Sequence, residues 1–167
     1  FMYGEIGVLT AIFGIISIVA LCFGIAGYLF MALGLSKITE RLKQETGEEI
    51  PYSWLAWVPV AQYYVLGAVL EYVEGDKKKV PYAVVFTVIA AAGFVLGYAN
   101  SGLLTDVASI LQMVMYGYTG YSLAALLTPN KQVLVTVLSV FFLPFVIFGI
   151  RNNPFHWEDD SYSDPQR

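Results

Sequence analysis

Apolar residues in this chain do not alternate with polar ones; they come in long runs separated by short charged stretches. The first run, Ile6 to Leu35, holds 30 residues without a charge. At about 1.5 Å per residue it makes roughly 45 Å of helix, enough to cross a hydrocarbon core of about 30 Å with residues to spare. Gly14, Ala20, Gly24, Gly27 and Gly34 punctuate it, and small residues let a second helix approach closely. The helical period continues from Ser36 to Glu45, with Arg41 and Glu45 as an i,i+4 pair. The helix is expected to run out of the bilayer into water and to stop at Gly47. A secretory signal has a basic start and an apolar core of roughly 7 to 15 residues; this run follows Glu5 and is twice that long, so it reads as a permanent span.

The second run, Ile50 to Leu70, is different in kind. It holds Pro51, Pro59, Gln62 and five aromatic residues, Tyr52, Trp54, Trp57, Tyr63 and Tyr64. Trp and Tyr favour the membrane interface, and Pro59 removes a backbone donor in mid-segment. The third run, Val80 to Ala99, carries Gly93 and Gly97 as a G-x-x-x-G pair. Asn100-Ser101-Gly102 predicts a tight turn with a cap for the next helix. The fourth run, Leu103 to Leu127, contains Asp106, Gln112 and Tyr116, Tyr118 and Tyr121, and it forms an antiparallel hairpin with the third. The fifth, Gln132 to Ile150, is interrupted by Pro144, and Arg151-Asn152-Asn153-Pro154 closes it. Residues 155–167 read as a short acidic tail after a single membrane domain over 1–154.

Composition agrees with the pattern. Hydrophobic residues make up 57% of the 167 and charged residues 13%, about half the charge of an ordinary soluble domain. A water-soluble fold would be left with large apolar patches. The net charge of −4 leaves no surplus of cations for a nucleic acid. Cys22 is the single cysteine, so an internal disulfide and a cysteine metal cluster are both excluded.

Lys and Arg decide between two architectures, because cytoplasmic loops collect them. They fall at 37, 41 and 43, at 77, 78 and 79, at 131, and at 151 and 167. Five full spans split them five against four, which orients nothing. If the Ile50–Leu70 run dips in and returns, or lies in the interface, the split is seven against two. The expected fold is therefore all-α: four transmembrane helices plus one proline-broken re-entrant or interfacial segment, with the N-terminus outside and loops 36–50 and 71–80 cytoplasmic. The fifth run can behave likewise around Pro144, which leaves the side of the C-terminus open.

Candidate functional residues are few. Charges inside a membrane are costly and point to function by default, but Glu5 and Asp106 lie near helix ends, and a first-turn Asp suits the helix dipole. Glu71, Glu74 and Asp76 beside Lys77, Lys78 and Lys79 read as a solvated loop, with the three lysines as candidates for a lipid headgroup. Gln62, Gln112 and Asp106 are candidates for a polar cavity beside a broken helix, and Gly24, Gly27, Gly93 and Gly97 for helix packing. His156 is the single histidine, and no H-E-x-x-H, G-x-S-x-G or glycine-rich phosphate loop occurs. No catalytic residue, metal site or cofactor is expected.

The stretch Trp54-Leu55-Ala56-Trp57-Val58-Pro59-Val60-Ala61-Gln62 resembles a signature of small multispanning membrane proteins of Gram-positive bacteria, W-L-A-W-[IV]-P-[IV]-A-[NQ]. Two further features are similar: a basic helix end before the signature, here Lys37 to Lys43, and a late run like Val137 to Phe142 that closes with an Arg-Asn pair, here Arg151-Asn152. Gln62 stands where the group usually has Asn, and the acidic tail departs from it. The resemblance implies origin and topology; the group has no assigned activity, so it transfers no functional residue. The leading expectation is a non-enzymatic accessory or scaffold subunit whose partners are lipids and another integral membrane protein. A small transporter or channel beside residues 52–67, and an immunity-type protein against membrane-active peptides, are the alternatives.

Overall fold

The computed structural model describes residues 2–75, 80–99 and 102–157, with side chains from residue 7 onward. Most of these lie in five helices: α1 (Met2–Thr46), α2 (Gln62–Glu74), α3 (Tyr82–Ala99), α4 (Leu103–Leu127) and α5 (Gln132–Ile150), with 3-10 turns at Ser53–Trp57 and Pro129–Lys131. No strand occurs among the described residues. All the helices but α2 are long and apolar enough to cross a bilayer. The chain is an all-α membrane protein, as its apolar runs predict.

α1 contains no proline to break its backbone bonds. It ends where Gly47 adopts a φ of 74° and its amide closes on the Lys43 carbonyl at 3.0 Å. Its two halves have different surroundings. From Gly27 onward it contributes Met31, Leu35, Ile38 and Leu42 to the core; from Gly7 to Ile25 every residue is exposed.

After α1 the chain runs back along the same helix. Lys43 pairs with Glu49 at 2.9 Å, and the Tyr28 hydroxyl donates to the Trp57 carbonyl, so this limb retreats beside α1 by about 22 Å. It reverses at Pro59-Val60-Ala61, where the Ala61 amide bonds the Pro59 carbonyl at 2.8 Å and Val60 takes a φ of 66°. That is a γ-turn, and the left-handed centre costs a β-branched residue about 1–3 kcal/mol. α2 then climbs back. Its Tyr72 ring lies 6.5 Å from Trp157, Trp157 lies 5.6 Å from Phe155, and the Arg41 guanidinium covers Phe155 at 4.6 Å. The proline-bearing segment thus enters and leaves at the end of the bundle marked by Arg41 and Lys43. Around the reversal Trp57, Val58 and Pro59 are exposed, whereas Val65 to Leu70 of α2 are all buried.

α5 has the length to cross but does not run straight. Phe142 departs from helical dihedrals, two residues before Pro144, whose ring clashes with the preceding turn. Before the bend, Ser139 and Val140 approach Gly120 and Gly117 of α4; after it, Pro144 and Ile147 approach Gly27 and Gly34 of α1. A straight helix would carry Ile150 about 27 Å from Gln132. Yet the His156 amide donates to the Leu126 carbonyl at 2.7 Å, and six extended residues reach at most about 21 Å. α5 therefore turns back toward the end where it began. There Arg41 Nη1 donates to the carbonyls of Arg151 at 2.9 Å and Asn153 at 2.7 Å.

The domain boundary also moves. Phe155 and Trp157 pack on the core and His156 is anchored through its backbone, so the first three residues assigned to the acidic tail belong to the folded domain. Residues 158–167 of that tail lie outside the described residues.

Candidate functional site

α2 is the central helix, and its contacts with α3 and α4 hold the polar side chains of the interior. Gly67 makes this possible: a Cβ there would fall on the backbone of Tyr82 and Ala83, so α2 and α3 touch main chain to main chain. One turn later Glu71 Oε1 accepts from the Ala83 amide at 2.8 Å. It caps α3 from outside that helix and satisfies one of the amides a helix start leaves free. Glu74, three residues on, takes hydroxyls from both neighbours. Oε2 accepts from Tyr82 at 2.9 Å, and Oε1 from Tyr118 and from Ser122, the latter at 3.2 Å. The Tyr82 and Tyr118 oxygens are 2.9 Å apart with their rings stacked.

A second group lies deeper along the same interface. Tyr63 and Tyr116 meet hydroxyl to hydroxyl at 2.7 Å with their rings nearly parallel, and Gln112 Nε2 donates to the Tyr116 oxygen at 2.7 Å. The two groups pin both ends of a short helix that the bilayer alone could not hold at depth. In a low-dielectric interior each such bond is stronger than in water, and each missing partner costs more.

Glu71 and Glu74 correct the sequence reading. They are half-buried helical residues on α2, not members of a solvated loop, and residues 71–74 are helix. Tyrosine hydroxyls at matching depth, on α3 and α4, replace water around the carboxylate. The signal in the sequence was the spacing of Glu71 and Glu74, one turn apart at the end of an apolar run; that Tyr82 and Tyr118 face them is given by the packing of α3 and α4.

The polar-cavity candidates are not brought together. Gln112 joins the tyrosine pair, Asp106 is exposed in the first turn of α4, and Gln62 is buried with its Oε1 unpartnered. Of the packing glycines, Gly27 faces Pro144 at 3.9 Å and Gly93 faces Gln112 at 3.4 Å, while Gly24 and Gly97 meet nothing within 4 Å. The tightest approaches are instead at Gly34, Gly67 and Gly120. Lys77, Lys78 and Lys79, the headgroup candidates, lie outside the described residues, as do Asn100 and Ser101. Among the described residues no three His, Cys, Asp or Glu side chains converge as metal ligands would. Comparison with protein-family models, with curated proteins and with solved structures gave no match.

Proposed function

We propose that this protein is a non-enzymatic accessory subunit of a larger membrane assembly, and that it docks through the first half of α1 against a helix of another membrane protein. One observation carries the reading. α5 joins the line of small residues on α1 at Gly27 and follows it past Gly34 to Arg41, while Ala20 and Gly24, seven and three residues before Gly27, continue that line in the other direction uncovered. Helices in lipid associate through close packing at such small residues, and α1 carries these two on its exposed half, with nothing within 4 Å of a Cβ built at Gly24. The interior polar groups, by contrast, are engaged in holding α2.

The orientation that goes with this reading has the N-terminus outside. Among the described residues, Lys37, Arg41, Lys43, Lys131 and Arg151 all gather at one end of the bundle, which the positive-inside rule assigns to the cytoplasm.

Extraction from native membranes in mild detergent tests the proposal. A larger partner is expected to co-purify at fixed stoichiometry, and Gly24→Leu is expected to abolish co-purification without changing the unfolding temperature, because nothing lies within 4 Å of a Cβ at that position. Isolation of the wild-type chain alone, or retention of the partner by Gly24→Leu, would count against it.

A further inference from the structure

The end of the bundle that gathers the lysines and arginines also contains a pocket that the packing of α2 does not require. It has a volume of about 270 Å³ and lies between α1, which supplies Ser36, Thr39, Glu40 and Lys43, and the returning limb, which supplies Glu49, Ile50, Ser53 and Trp54. The four α1 residues are spaced three, four and seven apart, so they form one face of the helix. The volume falls just below the roughly 300–1,000 Å³ of sites for drug-sized molecules, which suits a small polar group.

Its charges narrow the ligand. Lys43 pairs with Glu49 at 2.9 Å and Lys37 with Glu40 at 3.0 Å, and all four side chains are between 42% and 64% exposed. The lining itself carries two carboxylates, Glu40 and Glu49, and one ammonium, Lys43, while Lys37 pairs with Glu40 from beside the pocket, so there is no positive surplus to hold a simple anion. A ligand bearing both signs can exchange the Lys43–Glu49 pair for two pairs of its own without leaving a charge uncompensated. The polar wall is also continuous with lipid-facing surface. Leu33 and Leu29, three and seven residues before Ser36 on the same face, are exposed, and so are Tyr52, Trp54 and Trp57 on the limb. Aromatic residues of this kind mark the membrane interface.

We propose that this pocket seats the headgroup of a zwitterionic phospholipid with a primary ammonium, of the phosphatidylethanolamine type. The ammonium meets the Glu49 carboxylate, the phosphate meets Lys43 and the Ser53 hydroxyl, and an acyl chain follows Leu33 and Leu29 toward the bilayer. The acceptors on hand are carboxylates and hydroxyls, which take hydrogen bonds from an ammonium; a choline headgroup offers none and favours an aromatic cage, of which Trp54 is a single wall.

The test uses the full chain, delipidated in detergent, with its unfolding midpoint followed against short-chain phosphatidylethanolamine, short-chain phosphatidylglycerol and soluble phosphoethanolamine. A saturable rise is expected with phosphatidylethanolamine and a much smaller one with the other two. The Lys43→Gln/Glu49→Gln double variant is expected to weaken the phosphatidylethanolamine response by about tenfold in half-saturating concentration, and Lys131→Gln, at the same end but away from the pocket, to leave it unchanged. Glu49→Lys makes the pocket cationic and should turn the preference toward phosphatidylglycerol. Equal responses to the two lipids, a full response from soluble phosphoethanolamine, or an unchanged preference in Glu49→Lys would overturn the proposal.

Discussion

Glu74 and Gly67 hold α2 by opposite means, one by accepting hydrogen bonds and the other by lacking a side chain. Removing the Glu74 carboxylate takes an acceptor from the hydroxyls of Tyr82, Tyr118 and Ser122, of which the two tyrosines keep their mutual bond, and each buried polar group left without a partner costs about 1–3 kcal/mol. Glu74→Leu is therefore expected to lower the unfolding temperature in detergent sharply. Glu74→Gln, which keeps an accepting oxygen, should lower it less; equal losses in the two variants would show that packing rather than hydrogen bonding matters at this position. Gly67→Ala places a methyl group on the main chain of Tyr82 and Ala83, which cannot yield as a side chain can. The loss should reach the upper part of the roughly 1–3 kcal/mol typical of overpacking. Gly24→Ala meets nothing and should be neutral or gain slightly from helix propensity. Sequence spacing drew attention to Gly93 and Gly97, because a G-x-x-x-G pair is visible along one helix. The close approach at Gly67 depends on which face of α2 meets the start of α3, and no spacing within one segment encodes that.

Helix limits follow from the sequence more directly than helix paths do. The fourth and fifth runs match α4 and α5 residue for residue, and Gly47 ends α1, because charge, proline and glycine fix where a helix can continue in lipid. The return of α2 was legible too, since the lysine distribution favoured it. The bend of α5 was not, because Pro144 permits a straight kinked span as readily as a reversal; what selects the reversal is Arg41, a surface-looking residue that receives the exit of α5 from across the bundle. Its guanidinium donates to two carbonyls, lies over Phe155 and pairs with Glu45 at 3.3 Å. Arg41→Ala should free residues 151–157, so trypsin is expected to cut after Arg151 at least several-fold faster than in the wild type. Arg41→Lys should not restore protection, because an ammonium lacks the planar fork that serves two acceptors and stacks on a ring. An unchanged cleavage rate in Arg41→Ala would mean that the aromatic contacts of Phe155 and Trp157 suffice.

With two segments that enter and return from one side, the molecule is thick at the end that gathers its lysines and arginines and thin at the other, where only α1 and the α3–α4 hairpin continue. This asymmetry accounts for the uncovered half of α1: the two elements that would flank it stop midway and go back. It also makes the topology testable without any knowledge of partners. In a Cys22→Ser background, single cysteines at Glu49, Val80, Asn130 and Asn152, all exposed, are expected to react with an impermeant reagent from the cytoplasmic side alone, and a cysteine at Leu103 from the opposite side alone. The pairs separate the two reversals. Glu49 and Val80 flank the returning α2 segment, and Asn130 and Asn152 flank α5, so a split of the first pair would exclude the first reversal and a split of the second pair the other. If both pairs stay together but face outward, the fold stands and the charge rule has been applied to the wrong side, in which case the zwitterion pocket opens on the outer leaflet.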